Sequence, residues 1–464
     1  MASQKPQKAV TERLPTGFDL DRLRSLMRDA GCTALYAKRL APNDNNKNQP
    51  YFAARGEMRV FNILPVRTMH PHRNTAGETS FVADIDFTWL TAAGSRHPAP
   101  RAKLILYPQY PEVRFSGFLD GANFPAADLM RYDAQHSLPE RILFLGVTPA
   151  RQTFGFVTLA RGPVGRQLAA LGDLPQVGVF YEVPLVAARD SKALLCHELH
   201  RIHDLGWIPA TTMERDAHGN WVRVPCRGPR CGGCTLETEL GIPPNDVAEP
   251  DFAGWEVKQH AVSTFANIEA GVITLFTPEP QGGVYRDQGV IPFMRRYGYA
   301  DTQGRADRVN FGGIYRAGIF HPRTNLVLSL NGYDAESDRL IDTTAGIALQ
   351  EQDGTPAAIW PYTSLLEHWN RKHAKAVYVP SLHRIHGKTH QYTFNNVVRM
   401  AEETDFLWFL KAMASGHIYL DPAIKMENAN TPRPRTKRRN QFRIKASEIN
   451  CLYRRVHNVD VTAY

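Results

Sequence analysis

Residues 232–258, GGCTLETELGIPPNDVAEPDFAGWEVK, constrain the fold of this chain more than any other stretch. Asp251, Glu256 and Lys258 fall there within eight residues, at the start of what reads as a strand. Side chains two apart in a strand share a face, so Glu256 and Lys258 lie side by side. Asp251, five residues before Glu256, would point the other way in an unbroken strand. The three converge only if the chain turns or bulges between Phe252 and Gly254, and Gly254 tolerates the backbone angles this needs. Pro250 suits the start of a strand rather than its middle. Two carboxylates and an ammonium gathered in this way suit a divalent metal facing a phosphate. Carboxylate oxygens hold Mg²⁺ while leaving positions for water and phosphate, and the lysine adds a compact positive charge. A metal also helps generate a hydroxide nucleophile near neutral pH. The expectation is a metal-dependent nuclease. The D-x4-E-x-K spacing alone is equally that of a solvated strand face, so the surrounding sequence has to decide.

At 464 residues the chain exceeds one ordinary domain, and two or three are expected. A net charge of +9 suits a polyanionic partner. The opening MASQKPQKAV lacks the apolar core of a signal peptide, and no apolar run reaches membrane-spanning length. A cytoplasmic address with no membrane partner is therefore expected. On the same grounds Cys32, Cys196, Cys226, Cys231, Cys234 and Cys451 are expected to be reduced.

Apolar spacing predicts a helix within 16–30, from Phe18, Leu20, Leu23, Leu26 and Met27. From 51 to about 188 the runs FVADIDFTWL, AKLILYP, RILFLGV, TFGFVTLA and VGVFYEVPLV read as strands, which predicts a mostly β barrel or pseudobarrel. The character changes near 188–191. SKALLCHELHRIHDLGWI reads as a helix with Leu194, Leu195, Leu199 and Ile202 on one side. Beyond it, strands at GWEVKQ, VITLFTP, TNLVLSL and GIALQ mix with helices at TSLLEHWNRKHAK and ETDFLWFLKAMASG. The predicted organisation is a mostly β domain over 1–188 and an α/β domain over 189–464.

The longer pattern GGCTLETELGI..N...EPDFAGWEVK resembles the catalytic segment of the MvaI/BcnI family of type II restriction endonucleases. Those enzymes are PD-(D/E)xK nucleases, and the motif here is Pro250-Asp251 with Glu256-Val257-Lys258. LLCHELHRIHDLGWIPA is similar to the family's first helix, and FRIKASEINCLY to a segment near its C-terminus. The resemblance spans roughly 190–464. It implies a mixed sheet flanked by helices and Mg²⁺-dependent hydrolysis of double-stranded DNA at a short CC-x-GG type site. It also implies 5′-phosphate and 3′-hydroxyl ends and a restriction-modification setting with a companion DNA methyltransferase. Asp251 and Glu256 would be the metal ligands, and Lys258 would position water or stabilise the charged transition state. A monomer is expected. Two rival expectations are a repair or mismatch nickase on the same core and a DNA-binding protein whose acids are structural.

Other candidates are less local. Thr235 is placed to N-cap a short helix ending before Gly241, which would bring Glu237 near the metal. An acid near a helix N-terminus is also favourable against the dipole alone. Cys226, Cys231 and Cys234, with Cys196 and His200 on one helix face, have zinc-like spacing, but a second C-x-x-C pair is missing, so a packed Gly/Cys loop is preferred. His197, His200 and His203 read as helix-surface residues.

From 431 to 464 there are nine Lys/Arg and two acids, interleaved with Phe442, Ile444, Ile449, Leu452 and Tyr453. These apolar anchors predict a folded, DNA-facing element. Arg438, Arg439 and Arg443 would contact phosphates or guanine, and Asn440 and Gln441 adenine. Lys372, His373 and Lys375 are further DNA-contact candidates. In the first half, LYAKRLAPNDNNKNQ resembles the opening of the B3-type DNA-binding domain of EcoRII-like enzymes, matched at Lys38, Leu40, Ala41, Asn43 and Asp44. That resemblance implies an effector domain holding a second copy of the target.

Overall fold

The run FVADIDFTWL, read above as one strand, is two. Thr79–Asp84 pairs within a five-stranded sheet and Asp86–Leu90 within a seven-stranded one. The change falls at Ile85, which is buried and donates its N–H to Ala102 O at 3.2 Å. A strand that changes sheets forms a corner of a two-sheet body, and its alternation shifts phase there. The computed structural model describes residues 14–40, 49–53, 58–75, 77–107, 112–130, 140–172, 174–185, 191–228, 231–244 and 250–464. It divides into two compact units, Met1–Arg189 and Asp190–Tyr464.

In the first unit the seven-stranded sheet is centred on Ala34–Leu40, Arg141–Val147 and Gln152–Leu159, and the five-stranded one on Glu112–Ser116, Lys103–Tyr107 and Thr79–Asp84. The helix Leu20–Asp29 starts at an N-cap, where the Asp19 side chain accepts from Arg22 N. Its buried Leu23 and Met27 join a core with Phe144, Phe154 and Phe156. Lys38 is a partly buried member of Ala34–Leu40, and burial lowers its pKa. Asn43 and Asp44, with Ala41, lie outside the described residues.

The second unit is mixed α/β. Its central sheet runs Ile208–Pro209, Thr389–Phe394, Lys375–His386, Val397–Thr404, Tyr453–Asp460, and Glu256–Ala261 adds to it parallel to Lys375–His386. A second sheet joins Val272–Phe276, Asn440–Lys445, Tyr419–Glu427, Arg308–Gly312 and Tyr299–Ala300. Helices form at Ser191–Asp204, Tyr362–His373 and Phe406–Ala414, within the runs read as helical. In the first of these Cys196 is buried and Leu194 is exposed, so the apolar face is rotated from the one expected.

Lys375–His386 escapes a reading by alternation because Pro380 interrupts it. Pro380 stands at a changeover: parallel pairing ends at Ala261↔Ser381, and antiparallel pairing begins at Ser381↔Phe394. Such positions tolerate the missing N–H. This unit has its own core, in which Leu195, Leu199, Leu236, Trp255, Val257, Val377 and Met400 pack together. Deleting residues 1–188 should therefore leave a soluble protein with one cooperative melting transition by circular dichroism. An aggregated or molten remainder would contradict this.

Candidate active site

The bend that the spacing demands is present. Phe252 N–H donates to Trp255 O at 2.9 Å and Trp255 N–H to Phe252 O at 2.8 Å. Between them Ala253 has φ +48° and Gly254 φ +84°. Positive φ at both central residues is the pattern of a type I′ turn, which folds two strand arms back on each other. Asp251 and Glu256 thus flank the turn on facing arms, and Asp251 Oδ2 accepts the Val257 N–H at 3.0 Å. Gly254→Val forces a branched side chain into the left-handed region, at a cost of about 1–2 kcal/mol. Cleavage should fall more than stability, because Asp251 loses its register with Val257. Thermal melts and cleavage rates on the same preparation test this; a destabilised variant with unchanged cleavage would contradict it.

Strand alternation then sorts the next residues. Val257 points into the core with Leu236, Val377 and Val379. Glu256, on the opposite face, is fully buried. The Lys258 ammonium contacts Glu256 Oε1, and Lys372 Nζ, from the helix Tyr362–His373, stands 3.7 Å from that same oxygen. Glu256 Oε2 has no hydrogen-bond partner among the described residues. Burying a carboxylate oxygen bare is costly unless something else meets it.

Burial pushes Glu256 up to about 6, opposed by Lys258 and reinforced by Asp251. Burial, then Asp251, also raises Glu237, and the charges of Lys258 and Lys372 pull the other way. Burial works against the charge on Lys258, yet Glu256, Asp251 and Glu237 together hold its pKa above the ordinary lysine value. The cluster is thus three carboxylates facing two ammoniums. His373, one residue beyond Lys372, is buried and stacked on Trp369 at 4.3 Å. Burial first, then Lys258 and Lys372, holds it well below the ordinary histidine range, so it stays neutral.

Glu237 reaches the cluster by a route different from the one expected. Its helix, Gly232–Glu239, is N-capped at Cys231, and Thr235 lies inside it, donating its hydroxyl to Cys231 O at 2.8 Å. The cap reading fails because the helix begins four residues earlier than Thr235 requires. Glu237 is therefore in the last turn, away from the free N–H groups of the helix start, and its charged neighbours are Asp251 and the lysines. The expectation of reduced cysteines also needs correction: Cys226 and Cys231 form a disulfide, with Cα atoms 6.0 Å apart. It ties the end of the strand Trp221–Pro225 to the start of the Glu237 helix. Two of the zinc-like sulfurs are bonded to each other, while buried Cys196 and half-buried Cys234 stand outside that disulfide. His200 and His203 make hydrogen bonds with the carbonyls of Tyr464 and Phe394.

The basic C-terminal segment is ordered, with Phe442, Ile444, Ile449, Leu452 and Tyr453 all buried. Arg438 and Arg439 are exposed. Asn440 is not available as expected: it is 3% exposed and its amide donates to Glu279 Oε1 at 3.3 Å and to Tyr285 OH at 3.4 Å. It shares a strand face with Phe442 and Ile444, which carries it inward. Gln441 donates to Thr274 Oγ1 at 3.2 Å, and Arg443 pairs with Asp421. Of the other candidates, Lys372 stands in the acidic cluster, His373 is interior, and Lys375 opens the strand Lys375–His386. The structure thus brings together Asp251, Glu256, Lys258, Glu237 and Lys372, and leaves Arg438 and Arg439 on the surface.

No curated protein matches this chain. Two solved structures of the restriction endonuclease MvaI are similar to it. One is a complex with its cognate DNA substrate, at TM-score 0.42 and 16% identity over 59% of this chain and 99% of that one. The other, in the absence of DNA, has TM-score 0.32 and 15% identity over the same shares, 59% and 99%. The model of the MvaI/BcnI restriction endonuclease family matches residues 196–453, more than half of the chain, and that span holds the whole acidic cluster. The chain belongs to the MvaI/BcnI restriction endonuclease family.

Proposed function

We propose that this protein is a Mg²⁺-dependent type II restriction endonuclease that hydrolyses double-stranded DNA at a short site of the CC-x-GG type. The observation that carries the reading is the convergence of Asp251, Glu256 and Lys258 at the turn, with one Glu256 oxygen buried and bare. Among the described residues no group of three or more His, Cys, Asp or Glu is set to enclose a metal. Mg²⁺ is typically held by one or two carboxylates and completes its shell with water and phosphate oxygens, and Asp251 and Glu256 are such a pair. The bare Oε2 fits such a cation, and so does Asp251 across the turn.

When bound, the cation would ease deprotonation of the attacking water and offset charge on the phosphate. The protein's own groups do the rest. Asp251, held by the Val257 N–H, and Glu256 would bind the cation. Lys258 stays protonated among the carboxylates and would set its ammonium against the phosphate oxygens as charge develops. Glu237 would tune the charge of the site from one step further out. The products would carry 5′-phosphate and 3′-hydroxyl ends. Arg438 and Arg439 would grip the backbone, and a companion methyltransferase would protect the host site. We assign the first unit to binding a second DNA copy, with the enzyme acting as a cytoplasmic monomer.

Digestion of plasmid DNA with Mg²⁺ tests the reading. Discrete, sequence-defined fragments are expected. Nicks confined to damaged or mismatched plasmid would move the assignment to a repair nickase, and intact plasmid would remove the enzymatic reading.

A further inference from the structure

The PD-(D/E)xK pattern accounts for one lysine, and the site holds two. Lys372 comes from a different element, the last turn of Tyr362–His373, whose far side is anchored by fully buried Leu365, Leu366 and Trp369. The Trp369 indole N–H also donates to Thr404 Oγ1 at 3.1 Å. These contacts anchor the helix end to the core, and the partly exposed lysine side chain extends from it. Lys258 and Lys372 address the same oxygen of Glu256 from equally exposed side chains but not at equal distance: Lys258 is in direct contact, whereas Lys372 stands at 3.7 Å. A single ammonium is enough to pair one carboxylate oxygen. The second leaves Oε2 unmet, so it does not complete the hydrogen bonding of Glu256.

We propose that Lys372 is a second phosphate-binding lysine, held near Glu256 in the free protein and transferred to a DNA phosphate oxygen once a divalent cation occupies the carboxylates. The inference rests on the nuclease reading of this site. The physical ground is charge balance. Three carboxylates against two ammoniums leave one net negative charge, and a divalent cation turns that into one net positive charge. Lys372, the more distant and so the more weakly held ammonium, is then repelled from Glu256 and attracted to the incoming phosphate. Lys258 is locked in by Glu256, Asp251 and Glu237 and remains.

The test measures binding of a short duplex of plasmid sequence against salt concentration, for the wild type, Lys372→Met and Lys372→Arg. It is run once with EDTA and once with Ca²⁺. Each phosphate contact adds about 0.9 to the slope of log K against log salt. With Ca²⁺ the Lys372→Met slope should be shallower than wild type by about that amount. With EDTA the two should coincide, and Lys372→Arg should follow wild type in both. Single-turnover cleavage of plasmid with Mg²⁺ should fall about 10²-fold in Lys372→Met and recover in Lys372→Arg. A lysine that merely neutralised Glu256 would leave the Ca²⁺ slope unchanged, and that result overturns the proposal. Melting temperatures guard against misfolding, with Lys372→Arg as the folded control. If the wild type cuts plasmid while Lys372→Met matches it in rate and slope, only the lysine proposal fails. If the wild type cuts no DNA, the nuclease reading fails first and the proposal with it.

Discussion

Glu256→Gln should stabilise the metal-free protein and abolish cleavage at the same time. In the folded state burial raises the Glu256 carboxyl from its ordinary 4.5 to about 6. Between those values the folded protein retains a proton that the unfolded chain has lost, so stability falls as pH rises through the window. Above it the ionised carboxylate costs about 2 kcal/mol, since each tenfold change in proton affinity is worth roughly 1.4 kcal/mol. Glutamine keeps the shape without the charge. The variant should therefore gain up to about 2 kcal/mol near pH 8 in EDTA, and its stability should lose this contribution to pH dependence across the window. Its cleavage should drop by at least about 10³-fold, because a neutral amide neither binds the cation strongly nor anchors Lys258. Urea melts at a series of pH values check the first half. A variant less stable than wild type at pH 8 would mean that its ion pairs outweigh its burial.

Lys258→Ala should reduce cleavage by about 10²–10³-fold or more while specific DNA binding survives. Its ammonium sits inside the carboxylate cluster, so under the proposed function its loss would remove charge at the reacting phosphate and leave the contacts that hold the duplex. Cleavage under single-turnover conditions and binding with Ca²⁺ separate the two effects. Equal loss of binding and cleavage would assign Lys258 to holding DNA instead.

What could be read in the sequence was what is local. The mismatch of spacing between Asp251 and Glu256 required a turn, and Ala253–Gly254 make one because the chain has a glycine where the second positive φ falls. Strands and helices were legible wherever apolar period and turn residues agreed, as in Gln152–Leu159 and Phe406–Ala414. The placement of Lys372 was not legible: helix Tyr362–His373 brings it to Glu256 only through the parallel pairing of Glu256–Ala261 with Lys375–His386, a long-range contact with no sequence signature. Asn440 departs from expectation for a different reason. Its position in a basic run suggested surface, while simple alternation with Phe442 and Ile444 already put it on the buried face. The Cys226–Cys231 bond is not legible in the sequence, because the absence of a secretory signal bears on all six cysteines alike and spacing alone does not single out this pair.

The nuclease reading stands on one arrangement: acids on the two arms of a single turn hold a cation against a DNA phosphate. Single-turnover cleavage of plasmid by wild type and by Asp251→Asn, each titrated with Mg²⁺, is the decisive measurement. The wild type should show a saturable rise, and the variant a rate at least about 10³-fold lower at every concentration, with duplex binding retained. Cleavage by Asp251→Asn within tenfold of wild type, or wild-type cleavage indifferent to Mg²⁺, would refute that arrangement.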